Sequence, residues 1–204
     1  MHDTRAKHPD FQCLADLASE HSGYFTNADA AQCGFSRALL HYHERSGRFV
    51  RIRRGVYRQR EAPASIVEDV LGIWLAVGRD VAVVSHDSAL ALHELSDVIP
   101  SAVHLTLPRS KRYLRTPQGA DIHFTTRPFA SRDITARQGI RLTSPTRTIV
   151  DSAEAGIGPE QIELAVRQAL ERGMTTPTRL REQANEYNGM VFELIDRSTR
   201  LAGS

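Results

Sequence analysis

The chain has 204 residues, 41% of them hydrophobic and 25% charged, and a formal net charge of only +2 at pH 7. This composition is ordinary for a soluble globular protein of one or two domains. The longest apolar stretches, such as VLGIWLAVG, are far shorter than the roughly 20 residues that span a membrane. The N-terminal MHDTRAKHPD is polar and has no signal-peptide core. We therefore expect a cytoplasmic protein without membrane contact.

The two cysteines, Cys13 and Cys33, have neither metal-ligand nor redox spacing. In a reducing compartment we expect both to be small buried residues within the helix packing.

Positive charge is concentrated between Thr26 and Arg60, where eight arginines are opposed only by Asp29 and Glu44. Local basicity in a nearly neutral chain indicates a surface that faces a polyanion. On charge alone, a solvated arginine-rich hairpin is an equally good interpretation.

Three short helices are predicted before the arginine cluster. FQCLADLAS has apolar residues at helical spacing and predicts the first helix. Thr26, with Asp29 three residues later, has the capping-box pattern that begins the second helix. Ser36 is a suitable N-cap for the third helix, which Gly47 ends. Two short helices joined by a glycine-containing turn are typical of a helix-turn-helix motif.

The third helix should have an inner and an outer face. The inner face is expected to carry Leu39, Tyr42 and His43. The outer face is expected to carry Arg37, His41, Glu44 and Arg45. In helix-turn-helix proteins this outer face reads base edges in the major groove.

The segment RFVRIRRGVYRQR follows the third helix and predicts a β-hairpin. Apolar and basic residues alternate on both sides of an RRG turn, in which Gly55 can adopt a positive φ. A hairpin in this place is the wing of a winged helix, with Arg53 and Arg54 at its tip and its arginines on DNA phosphates. The predicted DNA-binding residues are Ser36, Arg37, His41, Arg45, Arg48, Arg51, Arg53, Arg54 and Arg58.

Pro63 marks the expected linker, so the predicted domains are residues 1–62, the winged helix, and residues 63–204. The second domain is predicted to be mixed α/β with a helical C-terminus, which makes the fold class α+β. Its predicted elements are a helix opened by a capping box at SIVE (65–68), strands at VAVVS, AVHLTL and ADIHFTT, and helices beginning at Ser85, Ser144 and Gly158.

No catalytic residue, metal site or cofactor is predicted in this second domain. The candidate ligands His86, Asp87, His93 and Glu94 flank one helix, but two histidines seven residues apart need further ligands to hold zinc. Glycine-rich phosphate loops and a kinase catalytic loop are both missing.

Two polar features of the second domain keep alternative interpretations. Arg147 and Asp151 are four residues apart on one helix and are expected to form a structural ion pair, the alternative being a polar site together with Asp87. RSKRYLR (109–115) is either a solvated loop or a surface for an acidic partner or a second phosphate contact.

The order of motifs resembles the AbiEi-type antitoxins of bacterial type IV toxin–antitoxin systems. GYFTNADAAQCGFSRALLHYHERSGRFVRIRRGVYR is similar to their N-terminal winged helix. SHDSALALHEL, VHLTLPRSKR and LTSPTRTIVDSA are similar to successive segments of their second domain. The similarity extends from about residue 10 to about residue 185.

This resemblance implies an autorepressor that binds its operon promoter and an antitoxin that neutralises a nucleotidyltransferase-like toxin, with or without a stable complex. One alternative is that the second domain is an enzyme that modifies the toxin, for example by phosphorylation. A further alternative is a free-standing transcription factor that senses a small ligand. The operator, the toxin's target and the oligomeric state do not follow from the sequence.

Overall fold

A computed structural model of the protein describes residues 8–203, and part of the polar N-terminal stretch lies outside them. The chain forms two compact units: the first extends to Arg79 and includes residues 138–140, and the second comprises residues 80–137 and 141–204. The predicted boundary at residues 62 and 63 therefore falls inside the first unit. The reason is that a helix at residues 68–77 packs against the strands of the first unit.

The first unit contains a helix-turn-helix followed by a β-hairpin, as the sequence predicts. Its strands form an antiparallel sheet in the order β1-β3-β2. The elements are α1 (Phe11–Ser19), β1 (Tyr24–Thr26), α2 (Asn27–Gln32), α3 (Arg37–Arg45), β2 (Phe49–Arg53), β3 (Val56–Gln59) and α4 (Glu68–Val77).

Local hydrogen bonds fix where α2 and α3 begin. The Thr26 hydroxyl accepts a bond from the Asp29 backbone N–H at 3.2 Å, and the Asp29 carboxylate accepts one from the Thr26 N–H at 2.8 Å. Asp29 also binds the guanidinium of Arg79 at 2.8 Å. Burial opposes the charge of Asp29, but these hydrogen bonds and Arg79 outweigh burial and lower the pKa of Asp29. Ser36 caps α3 through the Leu39 N–H.

The expectation of two separate buried cysteines is wrong, because Cys13 and Cys33 form a disulfide. Cys13 lies on α1 and Cys33 ends α2, and their Cα atoms are 5.7 Å apart, within the usual range for a disulfide. Cys33 belongs to a hydrophobic core that also includes Leu14, Phe25 and Phe35. Spacing along the chain does not show this proximity, which the packing of α1 on α2 creates.

The predicted capping box at SIVE does not form. Val67 occupies the N-cap position of α4 without a side-chain capping bond, and the Ser65 hydroxyl accepts instead from the Val67 N–H. Glu68 is drawn away from the helix start because its carboxylate accepts a hydrogen bond from the Tyr24 hydroxyl at 2.5 Å and pairs with Arg58 at 3.4 Å.

The second unit is a five-stranded mixed sheet with helices, in the strand order β6-β5-β4-β8-β7. β4 pairs antiparallel with β5 and parallel with β8, and β5 pairs parallel with β6. The elements are β4 (Val83–Val84), α5 (His86–His93), β5 (Val103–Pro108), β6 (Ala120–Thr125), β7 (Ile134–Arg137), β8 (Ile140–Thr143), α6 (Pro145–Glu154), α7 (Pro159–Glu171), α8 (Pro177–Ala184) and α9 (Gly189–Leu201).

The helical C-terminus contributes most of one hydrophobic core in this unit. Buried side chains of α6 to α9 pack with Leu90 and Leu95, and residues such as Ile149, Ile162 and Ile195 are fully buried. RSKRYLR belongs to the largely exposed connection between β5 and β6. Within residues 8–203, none of the helices has the length and apolar character that crossing a membrane requires.

Candidate nucleic-acid interface

A groove lies between the outer face of α3 and the β2–β3 hairpin. Arg37 and His41 line it from α3, and Arg51 and Arg54 line it from the hairpin. Glu44 stands between the two sides, with its carboxylate 3.5 Å from His41 Nδ1 and 4.0 Å from an Arg51 nitrogen. One carboxylate thus orients two of the basic side chains, and the surface remains predominantly positive.

One position on the inner face of α3 differs from the prediction. Tyr42 is 63% exposed, whereas Leu40 is buried and takes the inner position that the sequence assigns to Tyr42. Leu40 and His43 lie three residues apart and share the inner face, which places Tyr42 outside. The outer face presents Arg37, His41 and Arg45 to solvent, as predicted.

His43 is a core residue of the first unit. Its ring contacts Phe11 and Phe49 edge-on, with both pairs of centroids 5.3 Å apart. Burial disfavours the imidazolium, and the charge of Arg48 adds to this, so the pKa of His43 is lowered.

The hairpin turn is anchored to the helix-turn-helix. Arg54 and Gly55 connect the strands, and Gly55 has φ +81°, the conformation that the sequence assigns to it. The backbone N–H of Asn27, the first residue of α2, donates to the Gly55 carbonyl at 3.0 Å. This bond holds the turn beside the groove.

Two of the predicted DNA-binding arginines point into the first unit. Arg58 has a side chain only 14% exposed and is paired with Glu68. Its guanidinium also donates to the Ala62 carbonyl and lies 5.9 Å from the Tyr24 ring centroid. Arg53 is the last residue of β2, and its side chain lies against Gly72 of α4. The approach is so close that a Cβ at position 72 would be only 3.1 Å from the Arg53 Nε. Arg53 pairs with Val56 at the end of the hairpin, where the sequence places it, but its side chain turns toward α4.

The nine predicted residues thus fall into three groups. The groove holds Arg37, His41, Arg51 and Arg54. Exposed positions on its flanks hold Ser36, Arg45 and Arg48, of which Arg48 stacks over the Phe11 ring at 4.1 Å. The interior-facing group consists of Arg53 and Arg58.

The second unit has a polar pocket of its own, lined by side chains that include His86, Thr106, His123 and Arg127. His86 is the first residue of α5, separated from β4 by Ser85, and has φ 48°. Its Nδ1 is 2.9 Å from the Ser85 hydroxyl, and its ring stacks on that of His123 with centroids 3.6 Å apart. Burial, followed by the charges of His123 and His104, lowers the pKa of His86 to about 3.

Arg147 and Asp151 form the expected ion pair at one side of this pocket. Arg147 Nε is 2.9 Å from the Asp151 carboxylate, which also accepts a hydrogen bond from the Tyr187 hydroxyl at 2.5 Å. Burial works against the guanidinium charge, but Asp151 outweighs burial and raises the pKa of Arg147. With both members buried, the pair is part of the packing of this unit.

The four candidate ligands at α5 do not converge. His93 is buried and its Nε2 lies 2.8 Å from the Thr143 carbonyl. Glu94 pairs with Arg137 at 2.7 Å. Asp87 instead faces His104, at 3.8 Å. No motif along the chain singles out His104 and His123, although both lie on strands in which polar and apolar residues alternate.

Comparisons with known proteins agree with this architecture. Residues 13–58 match the family model described as "Transcriptional regulator, AbiEi antitoxin". The crystal structure of the RV2827C protein from Mycobacterium tuberculosis is similar to this chain with a TM-score of 0.61 and 17% sequence identity, over 94% of this chain and 76% of that one. This likeness concerns the fold. No curated protein matches the chain. The resemblance seen in the sequence is confirmed over residues 13–58, the part of the chain that this family model matches.

Proposed function

We propose that this protein is an antitoxin that represses its own operon by binding promoter DNA through the groove between α3 and the β2–β3 hairpin. The observation that carries the proposal is the convergence of Arg37, His41, Arg51 and Arg54 on that groove, within the segment that matches the regulator family.

The two sides of the groove suit two kinds of DNA contact. A helix such as α3 fits the major groove of B-DNA, which is roughly 12 Å wide, and its N-terminal residues meet base edges. Arg37 is the first residue of α3 and is exposed. Arg51 and Arg54 belong to the hairpin, where they would meet phosphates of the adjoining backbone.

Base reading is tested with Arg37→Ala. Losing one bidentate base contact costs about 1–3 kcal/mol of discrimination. The variant should therefore lose preference for a duplex from upstream of its own gene over random DNA, measured by fluorescence anisotropy. Arg167→Ala removes the same charge from an exposed site in the second unit and is the matched control. An equal loss of affinity on both duplexes would assign Arg37 to the backbone.

We assign neutralisation of a nucleotidyltransferase-like toxin to the second unit. A full-length chain with Arg37, Arg51 and Arg54 all changed to alanine should lose operator binding and still rescue cells that express the toxin. If rescue disappears while the variant remains folded, neutralisation depends on repression. The gene adjacent to this one identifies the toxin to use, and a neighbour unrelated to toxins would favour a ligand-sensing transcription factor.

A second candidate function is enzymatic modification of the toxin. The polar pocket of the second unit favours it, because His86, His123 and Arg127 meet there. Incubation of the protein with toxin and labelled ATP tests this function. Label on the toxin would support phosphoryl transfer, whereas rescue without any label would support neutralisation by contact.

A further inference from the structure

Three polar side chains meet on one face of strands β5 and β6 in the second unit. His104 on β5 is the Cα partner of Asp121 on β6, and His123 lies two residues further along β6. Since alternate residues of a strand share a face, Asp121 and His123 point to the same side. One ligand atom from each of the three side chains lies within 4.8 Å of the others.

The two imidazoles direct their nitrogens at each other. His104 Nδ1 is 3.0 Å from His123 Nε2 and 3.8 Å from an Asp121 carboxylate oxygen. Zinc binds imidazole nitrogens at about 2.0–2.1 Å, so two such ligands in a tetrahedral site lie about 3.3 Å apart. The observed spacing of the nitrogens is close to that value. Asp121 has a side chain 56% exposed, so it has room to rotate onto a shared ion.

Neighbouring residues lie close to both rings. The other nitrogen of His104, Nε2, is 3.8 Å from the Asp87 carboxylate, which is within ion-pair distance. At metal sites, a carboxylate in this place usually accepts a hydrogen bond from the ligating histidine and fixes its ring and tautomer. His86 stacks on His123 and restricts the plane of that ring. The cluster therefore has both the donor set and its supporting contacts.

We propose that His104, Asp121 and His123 form a binding site for a divalent transition-metal ion of the zinc type. Two neutral imidazoles and one carboxylate are a donor set that such ions favour over magnesium or calcium. Three protein ligands leave a coordination position for water or for a bound group. His123 also lines the polar pocket, so the ion borders the space into which a ligand would enter.

The test uses the full-length protein after chelator treatment, with Zn²⁺ and Co²⁺ as probes. We expect about one Zn²⁺ per chain after dialysis and metal analysis, and a visible Co²⁺ spectrum typical of a nitrogen and oxygen donor set. His123→Ala and Asp121→Asn should weaken Zn²⁺ binding at least tenfold. Asp87→Asn should weaken it by about 10–100-fold while the Co²⁺ spectrum persists, since Asp87 positions a ligand.

His8→Ala removes an exposed histidine outside the cluster and should bind Zn²⁺ like the unmodified protein. Asp121 is largely exposed, so Asp121→Asn should melt at the same temperature as the unmodified protein when both are free of metal. This variant therefore separates the loss of a metal ligand from an effect on folding. Two results would overturn the proposal: absence of stoichiometric Zn²⁺ in the unmodified protein, or Zn²⁺ binding by Asp121→Asn and His123→Ala as tight as that of the unmodified protein. Either would show that His104 and His123 only share a hydrogen bond.

Discussion

The arginines of the hairpin should separate into DNA contacts and stabilising residues. The sequence assigns Arg51, Arg53, Arg54 and Arg58 to DNA alike, whereas the structure places only Arg51 and Arg54 in the groove. Each phosphate contact contributes about 0.9 to the slope of log K against log salt. Changing Arg51 and Arg54 together to alanine should make that slope shallower by about 1.8. Over a fourfold rise in salt, the unmodified protein should then lose about twelvefold more affinity than the variant.

Arg58→Ala should behave in the opposite way. It removes a nearly buried guanidinium paired with Glu68 and hydrogen-bonded to the Ala62 carbonyl. Loss of a charged hydrogen bond and of a partly buried pair costs about 2 kcal/mol of stability. The free energy of unfolding in urea should fall by about that amount, while the salt slope of the folded protein stays unchanged.

Fluorescence anisotropy with one DNA duplex at several salt concentrations measures the slopes, and Arg167→Ala again supplies the charge control. If Arg58→Ala lowered the slope by about 0.9 without loss of stability, Arg58 would be the DNA contact. If the double variant at Arg51 and Arg54 kept the full slope, the groove would not be the DNA surface.

Three further predictions concern the stability of the first unit. Asp29→Ala removes both a capping box and the pairing with Arg79, so the free energy of unfolding in urea should fall by about 3 kcal/mol. Because folding lowers the pKa of Asp29, the stability that Asp29 contributes should be present above its ordinary pKa and lost as the pH falls through the folded value. Joint replacement of Cys13 and Cys33 by alanine should cost about 3 kcal/mol, given the loop of 20 residues, and reduction of the unmodified protein should have the same effect. Folding lowers the pKa of His43, so on acidification the unfolded chain binds a proton at His43 before the folded protein does. Stability should therefore decline as the pH falls from the ordinary histidine pKa through the folded value. His43→Gln should flatten this part of the profile of stability against pH.

The helices of the first unit could be predicted because their signals are local. Thr26 with Asp29, and Ser36 alone, mark helix starts through bonds that span three residues. Strand β1 (Tyr24–Thr26) was not predicted, since three residues show no periodicity and its extended form depends on pairing with β3. The sequence pattern also does not show that the Arg53 side chain turns toward α4. A bulge between Arg51 and Arg53 interrupts the alternation of faces that the prediction assumed.

In the second unit, the order of the strands in the sheet differs from their order along the chain. The sequence predicts α6 and α7 from Ser144-Pro145 and Gly158-Pro159 and a helical C-terminus beyond them, and the structure has all four helices. The residue patterns do not predict strands β7 and β8. β8 pairs with β4, which lies far from it in sequence, and β7 follows β8 at the edge of the sheet, so the place of both strands depends on tertiary pairing. Periodicity along the chain does not show which distant segments will pair.

The histidine cluster depends on that same tertiary pairing. Alternation alone places His104 and Thr106 on one face of their strand, and Asp121 and His123 on one face of theirs. Only the parallel register, with His104 opposite Asp121, brings the two polar rows side by side. An antiparallel register would set the start of β5 against the end of β6 and separate His104 from Asp121. A shift by one residue would turn the polar row of one strand to the other face of the sheet. A site formed by register in this way has no motif along the chain, because its ligand spacing belongs to the sheet.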